Sequence, residues 1–240
     1  MSKNKEIQKK RRQHQRRQQL LIMGGVVVVA LGLIGFTFAR AVYENSQPIG
    51  EIKPIERVDY PFAQGKVLGS SAATVVIQEF ADFQCPFCGE FSRSVEAELI
   101  ASLVKTGKVR YEYHHYIVVD GNVGGGESRR AAEASECAND QGQFWNYHKL
   151  LFANQKGEGQ GAFSDRRLKA MAETLSLDTA AFNACFDSGK FTQAVLADER
   201  LARSLGVNST PTLFVNGQQV VDPSDLNEIQ QRVEAALNGK

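Results

Sequence analysis

The chain has 240 residues and a formal net charge of +1, enough length for one or two domains. The charge is unevenly placed: Lys3, Lys5, Lys9, Lys10, Arg11, Arg12, Arg16 and Arg17 stand against Glu6 alone at the N-terminus, which leaves the remainder acidic. A basic head of this kind suits nucleic acid in other settings, but an uncharged apolar run follows at once, so no nucleic-acid partner is expected.

Residues 1–19 are therefore expected to be a basic cytoplasmic tail. Leu20 to Ala39 reads LLIMGGVVVVALGLIGFTFA. That length matches a bilayer core of ~30 Å at ~1.5 Å rise per residue. A transmembrane anchor is expected over 20–41, single-pass in the cell membrane. The basic flank keeps the N-terminus in the cytoplasm, so the rest of the chain is expected to be extracytoplasmic. The alternative is a signal peptide cut after Ala41 in Ala39-Arg40-Ala41. The apolar run exceeds the ~7–15 residues of a signal h-region, which favours the anchor. Arg11-Arg12 and Arg16-Arg17 are read as chance pairs in a basic run.

A linker is expected over 42–66, where Pro48, Gly50, Pro54, Pro61 and Gly65 interrupt any period, with a short strand around Val67. Thr74 to Phe80 is apolar and β-branched, a buried-strand pattern. Phe91, Val95, Leu99 and Leu103 recur at four-residue steps and predict a helix from Pro86 to Lys105. Pro86 suits the first turn, where its missing N–H costs nothing. Val109 to Val119 reads as a second strand. Gly121-Asn122-Val123-Gly124-Gly125-Gly126 is a break without the Lys that a phosphate loop needs. From Glu127 the pattern is helical in several short pieces to about Gly206. Thr212-Leu213-Phe214-Val215 is a third strand, Asn216-Gly217 a two-residue hairpin turn, and Gln218 to Val221 a fourth strand. Pro223-Ser224-Asp225-Leu226 opens a last helix with Ile229, Val233 and Leu237 on one face. The plan is α/β: one compact domain over 67–240 with a helical insertion at about 121–206.

The strongest chemical signal is Cys85-Pro86-Phe87-Cys88, set where a strand gives way to a helix. Such a pair is a redox signature. The first sulfur faces the unsatisfied N–H groups of the helix start, which favour a thiolate. A thiolate of low pKa is both a ready nucleophile and a good leaving group. Half of a zinc site is the alternative, but zinc takes four ligands, often in two close pairs, and Cys137 and Cys185 stand alone. No metal and no organic cofactor is expected. Outside the cell two free thiols would be unusual, so Cys137 and Cys185 are read as a structural disulfide, with two separate buried thiols as the alternative. Glu79 is flanked by Ile77 and Phe80, which suits a pKa raised by desolvation. A strand residue facing solvent is its other reading, and Asp82 is the alternative acid. Pro211, in Ser209-Thr210-Pro211-Thr212, belongs at a strand start. On propensity alone its peptide bond is trans. His114 and His115 are neighbours on a strand and point to opposite faces, unlike a metal pair. Asn208-Ser209-Thr210 is a formal glycosylation sequon beside a proline. Phe144, Trp145, Tyr147 and Phe152 have helical spacing and read as core.

Strand, Cys85-Pro86-Phe87-Cys88, helix, helical insertion and Thr210-Pro211-Thr212 before a hairpin together resemble the thioredoxin-like fold. The large insertion makes the chain similar to the DsbA-type thiol–disulfide oxidoreductases over roughly Val67 to Lys240. The resemblance implies that Pro211 is cis and faces the Cys85–Cys88 pair. It implies that Thr210 contacts substrate and tunes the couple, and that Glu79 exchanges protons with the second cysteine. It also implies a protein disulfide oxidoreductase that introduces disulfides into secreted or membrane proteins and is reoxidised by a quinone-linked membrane oxidase. The alternatives are an extracytoplasmic reductase supplied by an electron donor, and a non-enzymatic metal-binding or adaptor domain. The Pro86-Phe87 dipeptide departs from the Pro-His of the best-studied oxidases, which weakens the case for a strongly oxidising couple. The linker is too short for the dimerisation domain of disulfide isomerases, so a monomer is expected.

The topology is testable directly. Protease added outside spheroplasts is expected to degrade the domain and spare the basic head. Recovery of soluble protein beginning at Val42 would instead establish cleavage after Ala41.

Overall fold

The computed structural model describes residues 21–239 except 27, 40, 41, 44, 45, 47 and 61. The expected basic tail and the alternative cleavage position lie outside the described residues. The chain divides between Ile49 and Gly50 into two units. In the first, helix α1 (Leu21–Ala39) has a mean hydropathy of 2.5 and is long and apolar enough to cross a membrane.

The second unit is built on a six-stranded sheet. Its strands are β1 (Ala63–Gln64), β2 (Val67–Leu68), β3 (Val75–Ala81), β4 (Val109–His115), β5 (Thr212–Val215) and β6 (Gln218–Gln219). Their order is β1-β2-β4-β3-β5-β6. Among the described residues only the β3–β4 pair is parallel. A parallel pair needs a crossover, and the helix after β3 supplies it. That helix starts as α2 (Pro86–Phe91), widens into a π turn at Ser92–Glu96, continues as α3 (Ala97–Leu99) and widens again at Ile100–Val104. The π turns were not foreseen from the spacing. A strict four-residue stripe drifts about 40° per step round an α-helix. Wider i→i+5 turns reduce that drift and keep Phe91, Val95 and Leu99 in the core.

Between β4 and β5 the chain forms α4 (Val119–Val123), α5 (Glu127–Asn139), α6 (Phe144–Ala153), α7 (Asp165–Thr174), α8 (Thr179–Asp187) and α9 (Thr192–Ser204), and α10 (Leu226–Leu237) follows the hairpin. The fold is thioredoxin-like with a helical insertion. Phe144, Trp145, Tyr147 and Phe152 on α6 are all buried in the main core. Phe80 and Phe214 join Ala202 and Val207 in a smaller second cluster. His115 is buried while His114 is half-buried, as neighbours on a strand should be.

Several boundaries differ from the sequence expectation. Strand β4 stops at His115 rather than running to Val119. The backbone N–H groups of Val118 and Val119 both donate to Asp82 Oδ2 at 2.9 Å, which turns the chain into α4. That helix takes up the start of the expected glycine break. β6 ends at Gln219, because the next free N–H groups, of Val221 and Asp222, donate to the Glu228 carboxylate. The last helix opens at Leu226, not at Pro223: Asp225 is its cap and accepts from Asn227 N and Glu228 N. Asn216 and Gly217 both have positive φ, 46° and 78°, the conformation a tight hairpin turn requires. From Gly50 the segment expected as linker belongs to the second unit. Lys53 N and Val58 N donate to the side chains of Asn154 and Asn146, and Ile52, Ile55 and Tyr60 pack against the core.

Cys137 on α5 and Cys185 on α8 form a disulfide that closes a separation of 48 residues. Changing both to Ala is expected to cost about 2–4 kcal/mol, read by denaturation under non-reducing conditions. An unchanged midpoint would show that the bond does not constrain the unfolded chain.

Candidate active site

Strand β3 carries the chain into the site, and Cys85 ends the approach. Its backbone is extended (φ −66°, ψ 121°) and it stands immediately before α2, with Pro86 inside the first turn. Cys85 is 6% exposed and Cys88 fully buried, while Phe87 between them is 67% exposed. Both are free thiols. In its thiol form Cys85 Sγ donates to the Thr210 carbonyl at 3.4 Å. The Thr210–Pro211 peptide bond is cis, and Thr212 Oγ1 donates to the Ser209 carbonyl at 2.8 Å just beyond it. Residues separated by more than a hundred positions thus meet at one sulfur.

The two thiols are driven apart in acidity. The Cys88 thiol beside Cys85, the Thr210 side chain and the backbone N–H groups of Cys88 and Phe87 outweigh burial and hold Cys85 down at about 6. Burial pushes Cys88 well up, reinforced by Cys85 and by the charge of Glu79. At neutral pH the outer sulfur is a thiolate and the inner one a thiol.

Glu79 is fully buried on β3. Burial raises its carboxyl to about 8, against the Tyr111 hydroxyl, which donates to Glu79 Oε2 at 2.5 Å. Asp82, the alternative acid, has a different task. It accepts from the backbone N–H groups of Gln84, Val118 and Val119 and so fixes the loop before Cys85 to the start of α4. Burial still raises its pKa.

Sequence reasoning missed Gln155. Its side-chain amide donates to the carbonyls of Phe83 at 2.7 Å and Cys85 at 2.9 Å, gripping the turn on both sides of Gln84. Gly89 makes room for it: a Cβ there would lie 2.0 Å from Gln155 Oε1. Tyr111 was missed too, because its partnership with Glu79 depends on the β3–β4 register, which has no local signal. Glu96 and His148, also unforeseen, stand near Glu79, each with an N or O atom within 4.8 Å of the others. A second cluster, of buried His115 and Glu136 with half-buried Asp198, already holds a cation, Lys66, whose Nζ is 2.8 Å from Glu136 and also pairs with Asp198. Burial opposes ionisation of Glu136, but His115 and Lys66 hold it down at about 2. The predicted residues therefore separate into two groups. Cys85, Pro86, Phe87, Cys88, Glu79, Thr210 and Pro211 lie at the meeting of β3, α2 and β5, whereas Cys137 and Cys185 tie α5 to α8 within the insertion.

The family model described as thioredoxin matches residues 63–235. Disulfide bond formation protein D of Bacillus subtilis is 29% identical over 177 residues, 72% of this chain and 78% of that protein. The oxidised BdbD structure from Bacillus subtilis aligns with a TM-score of 0.66 at 28% identity, covering 73% of this chain and 94% of that one. The Na(+)/H(+) antiporter NhaA 3 of Salinispora tropica is 34% identical over 171 residues, 71% of this chain. This chain spans only 24% of that antiporter's length.

The raised Glu79 carboxyl has a consequence for stability. Between its ordinary value of 4.5 and about 8, the fold keeps a proton that the unfolded chain has released. Stability is therefore lost as pH rises through that window, and the loss levels off above it. Glu79→Gln has no proton to lose. Its stability relative to the parent is expected to grow from about pH 4.5 to about pH 8 and then stay constant. Denaturation of the two reduced proteins in parallel measures this, and a difference independent of pH would contradict the burial argument.

Proposed function

The chain belongs to the thioredoxin family, in its DsbA-type branch, and from that premise we propose that it is a membrane-anchored thiol–disulfide oxidoreductase acting outside the cytoplasm. The observation that supports this best is the division between an outer sulfur held as a thiolate and a buried partner held as a thiol. We assign Cys85 as the exchanging sulfur, Cys88 as the resolving thiol and Glu79 as its proton partner. Thr210 and Pro211 are assigned to substrate: an extended peptide beside the cis bond has backbone groups to pair with.

In the oxidising direction a substrate thiolate attacks Cys85 of the Cys85–Cys88 disulfide. The S–S bond breaks, a mixed disulfide forms at Cys85, and Cys88 departs with the electron pair. The Glu79 carboxylic acid supplies the proton that makes Cys88 a thiol. A second substrate thiolate then attacks the substrate sulfur and releases Cys85 as thiolate. Substrate has lost two electrons and the cysteine pair has gained them. A stabilised Cys85 thiolate favours this reduced form and so makes the couple oxidising. Its value of about 6 lies well above the ~3.5 of the strongest oxidase. That gap agrees with a dipeptide lacking histidine.

The substrates proposed are secreted or membrane proteins with cysteine pairs, and a quinone-linked membrane oxidase is the proposed acceptor of the electrons. Helix α1 supplies an anchor of suitable length, with the basic head in the cytoplasm. Ion transport is not carried over from the Salinispora tropica antiporter, of which this chain spans 24%. A reductase working through the same residues is the second reading, supported by a Cys85 value well above that of the strongest oxidase.

Cys88→Ser removes the internal thiol that releases a stalled complex. The variant is expected to accumulate mixed disulfides with substrate proteins through Cys85, seen as reducible bands on non-reducing gels of whole cells. Equal trapping by Cys85→Ser would contradict the division of labour, and no trapping by either variant would contradict the exchange reaction itself.

A further inference from the structure

Glu79 is sealed from water, yet the proposed reaction moves a proton through it in each cycle. Both it and Cys88 are fully buried, so the carboxylate left behind cannot be reprotonated directly. Ionised Glu79 in this apolar setting is costly, and a path for the proton is needed.

The neighbourhood offers one. Tyr111 holds Glu79 Oε2, but Oε1 has no hydrogen-bond partner. Glu96 lies on the π turn Ser92–Glu96. The Ser92 hydroxyl donates to its Oε2 at 2.5 Å, while its Oε1 is unpartnered. His148 Nε2, likewise unpartnered, lies 3.5 Å from Glu96 Oε1. Glu96 and His148 are 3% and 2% exposed, and both line a cavity of about 360 Å³ whose wall includes Tyr60, Ser92, Trp145 and Phe152. Glu79 is not part of that wall. The pair stands between the sealed carboxyl and the cavity, and a helix widened into a π turn, a feature frequent at functional sites, puts Glu96 there.

We infer that Glu96 and His148 conduct protons between Glu79 and this cavity; the inference rests on the assignment of Glu79 as proton partner of Cys88. When Glu79 gives its proton to Cys88, the Glu96 carboxylic acid reprotonates Glu79, directly or through His148. Glu96 then recovers a proton from solvent in the cavity. One proton enters from water for each one that leaves on the Cys88 thiol, and no electrons move along the path. Burial and the neighbouring Glu79 raise Glu96 well above the carboxylate range, and burial lowers His148 to about 3. At rest the path is therefore neutral. The titratable groups facing it are Tyr111 and Tyr113 on β4 and Cys88 on α2, around Glu79, together with Tyr60 beside Glu96 and His115 beside His148. Arg93, Lys105 and Lys149 add positive charge to the cavity wall and favour entry of a small anion.

The test is the rate at which dithiothreitol reduces the oxidised full-length protein, followed against pH. Glu96→Gln and His148→Gln are each expected to slow the proton-dependent step about tenfold or more. Glu96→Ala opens the path to solutes, and its rate is expected to recover as formate is added, whereas the parent ignores formate. Glu96→Gln keeps the shape and the Ser92 contact, so it decides the matter if the alanine variant does not fold. Parent-like rates and pH profiles in both glutamine variants would overturn the inference. So would slow variants that keep the parent's pH profile, an alanine variant deaf to formate, or a purified protein carrying a metal that Glu96→Gln loses. Glu79→Gln separates the two layers. If it leaves the pH profile unchanged, the role of Glu79 fails; if it alters the profile while Glu96 and His148 variants do not, only the path fails.

Discussion

The structure is organised around the position of one sulfur, Cys85 Sγ, at the first turn of α2. A thiolate survives at neutral pH only where donors meet it. Here they come from its own turn, through the Cys88 thiol and the backbone N–H groups of Phe87 and Cys88, and from the Thr210 side chain. The requirement reaches far into the fold. β3 must deliver Cys85 to the end of the sheet, and β5 must pair with β3 so that Thr210 arrives beside it. Gln155, borne just beyond α6, must hold the Phe83 and Cys85 carbonyls. The helical insertion is thus tied into the geometry of the turn as well as covering it.

Burial does the complementary work. Cys88 sits beneath Cys85 in an environment without water, so it stays protonated where its partner does not. Glu79 shares that environment and keeps its proton for the same reason. Desolvation therefore separates the acidities of two chemically identical thiols and stores a proton near the less acidic one. A polar substitution that wets this interior is expected to weaken both effects together. Asp82 shows the contrast. It too is buried, but three backbone N–H groups occupy it, and its role is to shape the loop.

Much of this was legible in the sequence because it is local. Cys85-Pro86-Phe87-Cys88 carries its own turn, the apolar run before it carries a strand, and Asn216-Gly217 carries a hairpin. What stayed hidden depends on contacts between distant segments. The end of β4 is set by Asp82, more than thirty residues earlier. Nothing near Gln155 announces that it grips Cys85. The four-residue steps from Phe91 to Leu103 gave a helix but not its π turns, and nothing local to Glu96 announces that it comes near Glu79. The cis state of Pro211 came from the likeness of the whole pattern to a family, since propensity at that position favours trans.

The central claim is that position alone, without a histidine between the cysteines, stabilises the Cys85 thiolate. The direct measurement is the rate of alkylation of Cys85 by iodoacetamide against pH, in the reduced full-length protein, with mass mapping to keep Cys85 and Cys88 apart. The account predicts a titration of Cys85 centred at about 6 and no reaction of Cys88 over the same range. A Cys85 titration near the ~8.5 of an ordinary thiol, or Cys88 reacting first, would contradict it.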